Sequence, residues 1–338
     1  MKIGDHELTT KDLAVAGIFV LVVAALLWVM VGAKPNPTVM QKGPGDPVLM
    51  QGGMPGSQKG QFSYPRGIAV DSRGDIYVAD SRNHRIQKIN GRDGKFLTQF
   101  GTFFNVGGGD KKKLENDQPG KLNEPNDVTI GPDDMVYVMD TWNGRIQIFS
   151  PKGKQKKTYT TDDGFFAPRG VVVDPNGFSY VADTGKHRIV KFDPKGQKVK
   201  AWGSKGEKNG EFNEPIGVAL DQAGNLYVAD RLNFRIQVFN GEGQFIRQWT
   251  VKGWAKEQID MEPHLAIDQT HSLVYVTDGR NHKVYCYKLD GTLSSTLEND
   301  SQGRPLFSAP IGVAVDKDGA LYVVDAGAAK ILKIKGQF

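Results

Sequence analysis

The chain has 338 residues, 39% of them hydrophobic, with 41 glycines, 17 prolines and little low-complexity sequence, which excludes a disordered or fibrous protein. Its net charge of +5 is mildly basic and partly local: Lys111, Lys112 and Lys113 form one cluster, and Lys152, Lys154, Lys156 and Lys157 another. Such clusters read as solvated loops, with an anionic partner as the sharper alternative. The single cysteine, Cys286, excludes an internal disulfide.

Residues 1–12 form a short tail. Leu13 to Ala33 then runs 21 residues without a charge, and twelve of these are Leu, Ile, Val or Phe. At roughly −0.3 to −0.6 kcal/mol each, those side chains favour membrane insertion by about 4–7 kcal/mol. A rise of about 1.5 Å per residue makes the segment long enough to cross a bilayer. The sequence predicts a single transmembrane helix over 13–33. A cleaved signal peptide is the alternative, because Val31-Gly32-Ala33 has small residues where cleavage would fall. The flanking charge bias is slight. The expected topology is single-pass, with a cytoplasmic amino terminus and the rest of the chain on the extracytoplasmic side. Residues 34–47 carry Pro35, Pro37, Pro44 and Pro47 and read as a semi-extended linker reaching about 40 Å.

From residue 48 onward one motif is written six times. Each copy opens Pro-x-Gly, continues as a short apolar strand, turns at Asp-x-x-Gly, and runs into a second strand ending Tyr-Val-x-Asp. A turn and Arg-Ile then lead into a third strand. The first copy is Pro65-Arg66-Gly67-Ile68-Ala69-Val70-Asp71, Tyr77-Val78-Ala79-Asp80 and Arg85-Ile86. The closing aspartates are Asp80, Asp140, Asp183, Asp230, Asp278 and Asp325, spaced by 60, 43, 47, 48 and 47 residues. Four short strands per period is the signature of a propeller blade. No fourth strand follows the sixth copy, but one precedes the first: residues 49–65 align without gaps to 199–215, with Gly53, Gly56, Gly60, Phe62 and Pro65 falling on Gly203, Gly206, Gly210, Phe212 and Pro215. The expected fold of 48–338 is all-β, a six-bladed β-propeller closed by an amino-terminal outer strand.

These motifs resemble NHL repeats, on the strength of Pro65 to Asp71, Tyr77 to Asp80 and Asn83-His84-Arg85-Ile86, and the resemblance covers residues 48–338. It implies a six-bladed ring with a broad interaction face and no single chemistry. Within the repeats, the pairs Asp80/Arg85, Asp140/Arg145, Asp183/Arg188 and Asp230/Arg235 read as fastenings of each hairpin, because a group needed once for catalysis would not recur in register. Asp71, Asp174, Asp221 and Asp316 read as turn residues rather than calcium ligands. Cys286 lies in an alternating strand and reads as an inert buried thiol.

The residue after each opening proline lies near the channel mouth: Arg66, Asn126, Arg169, Ile216, His264 and Ile311. In peptide-amidating lyases that share this propeller, histidines hold zinc; here His264 alone matches, and one histidine is not a zinc site. That series has no carboxylate. No metal or cofactor is expected. The individual features are the insertion Thr102 to Lys121, with Lys111, Lys112 and Lys113, and the tips of the turns between second and third strands: Arg82, Trp142, Lys186, Leu232 with Phe234, and Arg280. Aromatic and arginine side chains on one face are hot-spot material. The expectation is a non-enzymatic binding platform or assembly subunit, with the bilayer reached through 13–33. It would dock a protein partner, as part of a membrane-associated complex, on the loop face. A metal-dependent lyase or hydrolase acting in the channel is the alternative, and nucleic acid is not an expected partner.

Overall fold

A computed structural model describes residues 2–3, 6–7, 47–105, 118–254 and 262–336. Residues 1–38 and 39–338 form two separate units. In the first, the two-residue strands β1 (Lys2–Ile3) and β2 (His6–Glu7) pair antiparallel. The apolar stretch 13–33, nearly all of the 34–47 linker, and Lys111, Lys112 and Lys113 lie outside the described residues. Among the described residues no helix is long and apolar enough to cross a membrane.

The second unit is a ring of six four-stranded antiparallel sheets. Blade one is β4 (Pro65–Val70), β5 (Ile76–Asp80), β6 (Arg85–Ile89) and β7 (Phe96–Phe100); blade two is β8 (Pro125–Ile130), β9 (Val136–Asp140), β10 (Arg145–Phe149) and β11 (Gln155–Tyr159). Blade three is β12 (Gly170–Val173) to β15 (Lys198–Trp202), blade four β16 (Pro215–Leu220) to β19 (Phe245–Thr250), and blade five β20 (Leu265–Asp268) to β23 (Leu293–Leu297). Blade six is β24 (Pro310–Val315), β25 (Leu321–Asp325), β26 (Lys330–Ile334) and, from the other end of the sequence, β3 (Val48–Gly52).

Burial explains the residue choice. Second strands lie between neighbouring blades, and all five residues of Ile76–Asp80 and of Leu226–Asp230 are buried. Outer strands cover one face only, so Phe245–Thr250 alternates half-buried with exposed. The core is laid down between blades. Met50, Phe62 and Ile331, from the two ends of the described chain, share one cluster with Ile68, Ile76 and Val78 of blade one. The register Ile331↔Gly52, Leu332↔Gln51, Lys333↔Met50 and Ile334↔Val48 completes blade six and closes the ring. Closure leaves no open junction for edge pairing.

The repeat motif is explained by close contacts. A Cβ on Gly170 would fall 2.1 Å from the Ile216 carbonyl, and one on Gly312 would fall 2.0 Å from that of Arg66. The first strands of neighbouring blades therefore approach too closely for a side chain at the Gly of Pro-x-Gly. In the turns after the first strand, Asp71 Oδ1 accepts the N–H groups of Arg73 and Asp75, at 3.0 and 2.9 Å. The buried tyrosines of the second strand reach the same turns: Tyr322 Oη donates to Asp316 at 2.9 Å. These aspartates are turn fastenings.

The antiparallel order gives the ring two faces. The loop face holds the inter-blade loops and the turns between second and third strands, joined by bonds such as Arg82 N–H to the Ser63 carbonyl. The opposite face holds the other two sets of turns, which also meet: a Cβ on Gly336 would fall 1.9 Å from the Gly319 carbonyl.

Candidate functional site

Four of the turns on the loop face contain a single 3-10 turn, for example Ser81–Asn83 and Thr141–Asn143. In these the closing residue is left-handed: His84, Gly144, His187 and Phe234. The buried aspartate ahead of each organises it. Asp140 accepts from the Asn123 N–H at 2.7 Å, from Asn143 Nδ2 at 3.0 Å and from Arg145 Nε at 2.7 Å. Arg145 in turn donates to the Lys121 carbonyl. The Asp/Arg pairs thus tie each hairpin to the inter-blade loop before it, as their recurrence suggested. The fifth copy differs: Lys283 pairs with Glu298 at 2.9 Å. The histidines fasten the following loop. His84 Nδ1 accepts the Glu124 N–H at 3.1 Å, and His187 Nδ1 the Glu214 N–H at 3.0 Å.

The channel mouth is an ion-pair cluster that the sequence reading missed. Glu262 Oε2 lies 2.7 Å from Arg66 Nε, and its other oxygen takes Arg169. Arg66 also reaches Glu124 at 3.5 Å. Arg66 and Arg82 both lie over the Tyr64 ring, 4.7 Å from its centroid. Burial pushes the Glu262 carboxyl up, but Arg66 and Arg169 more than reverse this and hold it below its ordinary value. Glu262 precedes its blade-opening proline and so stands outside the residue-after-proline series. Tyr64, Glu124 and Glu214 occupy the equivalent position.

Just inside, two irregular copies meet. In copy two Asp127 stands where the others have the close-contact glycine, and copy five lacks that residue altogether. These blades lie opposite one another in the ring. Asp127 Oδ1 and His264 Nδ1 are 3.6 Å apart. The buried Asp127 carboxylate accepts the N–H groups of Val128 and Val171, both at 2.9 Å. Burial raises its pKa against the opposing effects of His264 and these N–H groups. Among the described residues, His264 Nε2 and Asn126 Oδ1 are buried without a hydrogen-bond partner. Beyond them a cavity of about 330 Å³ is lined by apolar side chains such as Ile68, Val171, Val218 and Val313. Three carboxylates, Glu124, Glu262 and Asp127, therefore stand at or just inside the mouth, none of them in the residue-after-proline series. Among the described residues no three His, Cys, Asp or Glu side chains are grouped to hold a metal ion.

The expected docking residues divide. Trp142 is 50% exposed on its turn tip, and Arg82 and Arg280 are also exposed. Leu232 and Phe234 are only half-buried rather than free, and Phe234 packs against the core between blades four and five. The left-handed backbone at Phe234 turns its ring onto neighbouring side chains. Two aromatics that the sequence reading passed over stand out instead. Phe103 is 59% and Phe166 62% exposed, each in an inter-blade loop beside the Trp142 turn. Asn143 Nδ2 donates to the Phe104 carbonyl at 3.0 Å, and Gly144 faces the Phe165 carbonyl. The three rings thus ride on one connected strip of blades one to three. The start of the Thr102–Lys121 insertion lies on the Trp142 face, as expected. Other exposed large apolar residues, such as Leu49, Val199 and Ile246, sit singly on outer strands. The Cys286 thiol is buried, which raises its pKa.

Comparison with known proteins agrees with the repeat reading. The NHL-repeat family model matches residues 62–89, 122–149, 167–192 and 212–239. "Protein brain tumor" of Drosophila melanogaster is 52% identical over 46 residues, 14% of this chain and 4% of that protein. A probable peptidyl-alpha-hydroxyglycine alpha-amidating lyase of Caenorhabditis elegans is 34% identical over 95 residues, 28% of this chain and 25% of that protein. The matched segments therefore span a quarter or less of these relatives. Among solved structures, a catalytically inactive virginiamycin B lyase from Staphylococcus aureus with quinupristin superposes with a TM-score of 0.56 at 20% identity, covering 79% of each chain. That likeness shows the fold alone.

Proposed function

We propose that this NHL-repeat six-bladed β-propeller is a membrane-anchored, non-enzymatic binding platform that docks a protein partner on its loop face. Residues 13–33 cross the bilayer, the amino terminus stays in the cytoplasm, and the ring stands on the extracytoplasmic side. The observation that carries the reading is the strip of Phe103, Trp142 and Phe166. Three exposed aromatics on connected loops, with Arg82 at the same face, form a desolvable patch of the kind that anchors protein interfaces. The channel mouth supports it, because the Glu262 carboxylate is already engaged by Arg66 and Arg169.

Replacing Trp142 by Ala is expected to weaken partner capture from solubilised membranes by about 2 kcal/mol, roughly thirtyfold, with the melting curve unchanged. A second reading, a metal-dependent lyase or hydrolase in the channel, is favoured by the unpartnered His264 Nε2 beside Asp127. Unchanged capture by the Trp142 variant, together with stoichiometric zinc or calcium lost on His264→Ala, would move the function to that site.

A further inference from the structure

The lysine cluster of blade two is not alone. Residues 150–202 carry eleven Lys and Arg against five Asp and Glu, a net +6, more than the +5 of the whole chain. Six of the exposed lysines are Lys152, Lys154, Lys156 and Lys157 of blade two with Lys195 and Lys198 of blade three. The two groups are contiguous: Lys157 Nζ and Tyr159 Oη both donate to the Pro194 carbonyl, at 3.1 and 3.0 Å. None of the six has a carboxylate within ion-pair distance among the described residues, whereas Asp174 and Asp193 use Oδ1 to accept backbone N–H groups of their own turns. Lys152, Lys154 and Lys195 lie in turns of the opposite face, away from the aromatic strip.

The chain itself enters the ring at that face. Pro47 precedes β3, and its carbonyl accepts the Lys335 N–H at 2.8 Å, next to Gly336 on the Gly319 turn. Pro47 therefore leads into the ring on the side that displays the lysines, and a linker of the expected reach of about 40 Å would let that side meet the bilayer.

We infer that the opposite face of blades two and three is a docking surface for anionic lipid headgroups. Held there, the ring turns its aromatic strip away from the membrane and toward a partner. This rests on the anchored reading above. Surface lysines near an anionic leaflet attract it individually and within about a Debye length, so four of them on one edge suffice to bias the tilt of a tethered ring.

The test uses the full chain reconstituted into vesicles of phosphatidylcholine, with or without about one third phosphatidylglycerol. Because Cys286 is buried, a fluorophore on Gln197→Cys, at the lysine edge, or on Trp142→Cys, on the loop face, labels one site. Quenching by a headgroup-attached quencher is expected to be strong for the Gln197 label in anionic vesicles and weak in neutral ones, and weak for the Trp142 label in both. Changing Lys152, Lys154, Lys156 and Lys157 to Gln is expected to weaken the lipid-docked orientation about fivefold per lysine, so that the Gln197 quenching falls to the neutral-vesicle value. Equal quenching of the Gln197 label in both vesicles, with the protein still floating on them, overturns the docking surface and leaves the anchor standing. Failure to float on either vesicle overturns the anchor and the inference together.

Discussion

At the scale of the residue, the channel mouth makes the sharpest claim. Glu262 is held between Arg66 and Arg169, and its carboxyl lies below its ordinary pKa. A depressed carboxyl contributes stability that is complete above its unfolded value, about 4.3, and is lost as pH falls through the lower folded value. Glu262→Gln leaves two arginines with no carboxylate between them and removes the titration. The variant is expected to be about 3 kcal/mol less stable at neutral pH. That gap should narrow progressively as pH falls below the unfolded carboxyl value of about 4.3, as the wild-type carboxyl takes up its proton. Urea melts of both proteins across that range measure it, and a constant gap would mean that charge is not what holds the mouth. The repeated residues behave differently. Asp140 and its counterparts were legible from recurrence alone, because a fastening must appear in every blade. Glu262 and Asp127 are irregular, so the periodic pattern hid them.

At the scale of the element, the decisive strand is β3. It brings Met50 into the cluster that joins blade six to blade one and pairs with Ile331 to Ile334. Deleting residues 48–53 is expected to expose the β26 edge and to lower the melting temperature by several degrees or cause aggregation. A truncated chain that melts like the intact one would show that the ring does not depend on this pairing. The six blades and their closure were readable because strand alternation, turn residues and repeat spacing all agree. The loop face was only partly readable. Trp142 sits on a turn tip and is exposed, whereas Leu232 at the equivalent tip is half-buried, so the motif position alone does not set exposure. Phe234 sits one residue beyond such a tip, and a left-handed backbone redirects it onto the core. Phe166 sits where other copies have Ser63, Asn123 and Asn213, one residue past the buried Phe165 that matches Phe62 and Phe212, and Phe103 falls at the start of the insertion. The repeat therefore shows which ring turns inward at 165–166, but not that an aromatic stands at these variable positions.

At the scale of the whole molecule, the ring has two chemically distinct faces. Aromatic and arginine side chains crown the loop face, and lysines edge the face at which Pro47 leads into β3. On the proposed anchored reading, a disc with such faces would bridge a bilayer and a protein partner. The most direct measurement places a photo-crosslinking side chain at Trp142 or at Gln197 in the full chain, in its native membrane. The Trp142 position is expected to give a discrete protein adduct that disappears on Phe166→Ala, and the Gln197 position to give lipid adducts. A discrete protein adduct at Gln197 and none at Trp142 would contradict the account.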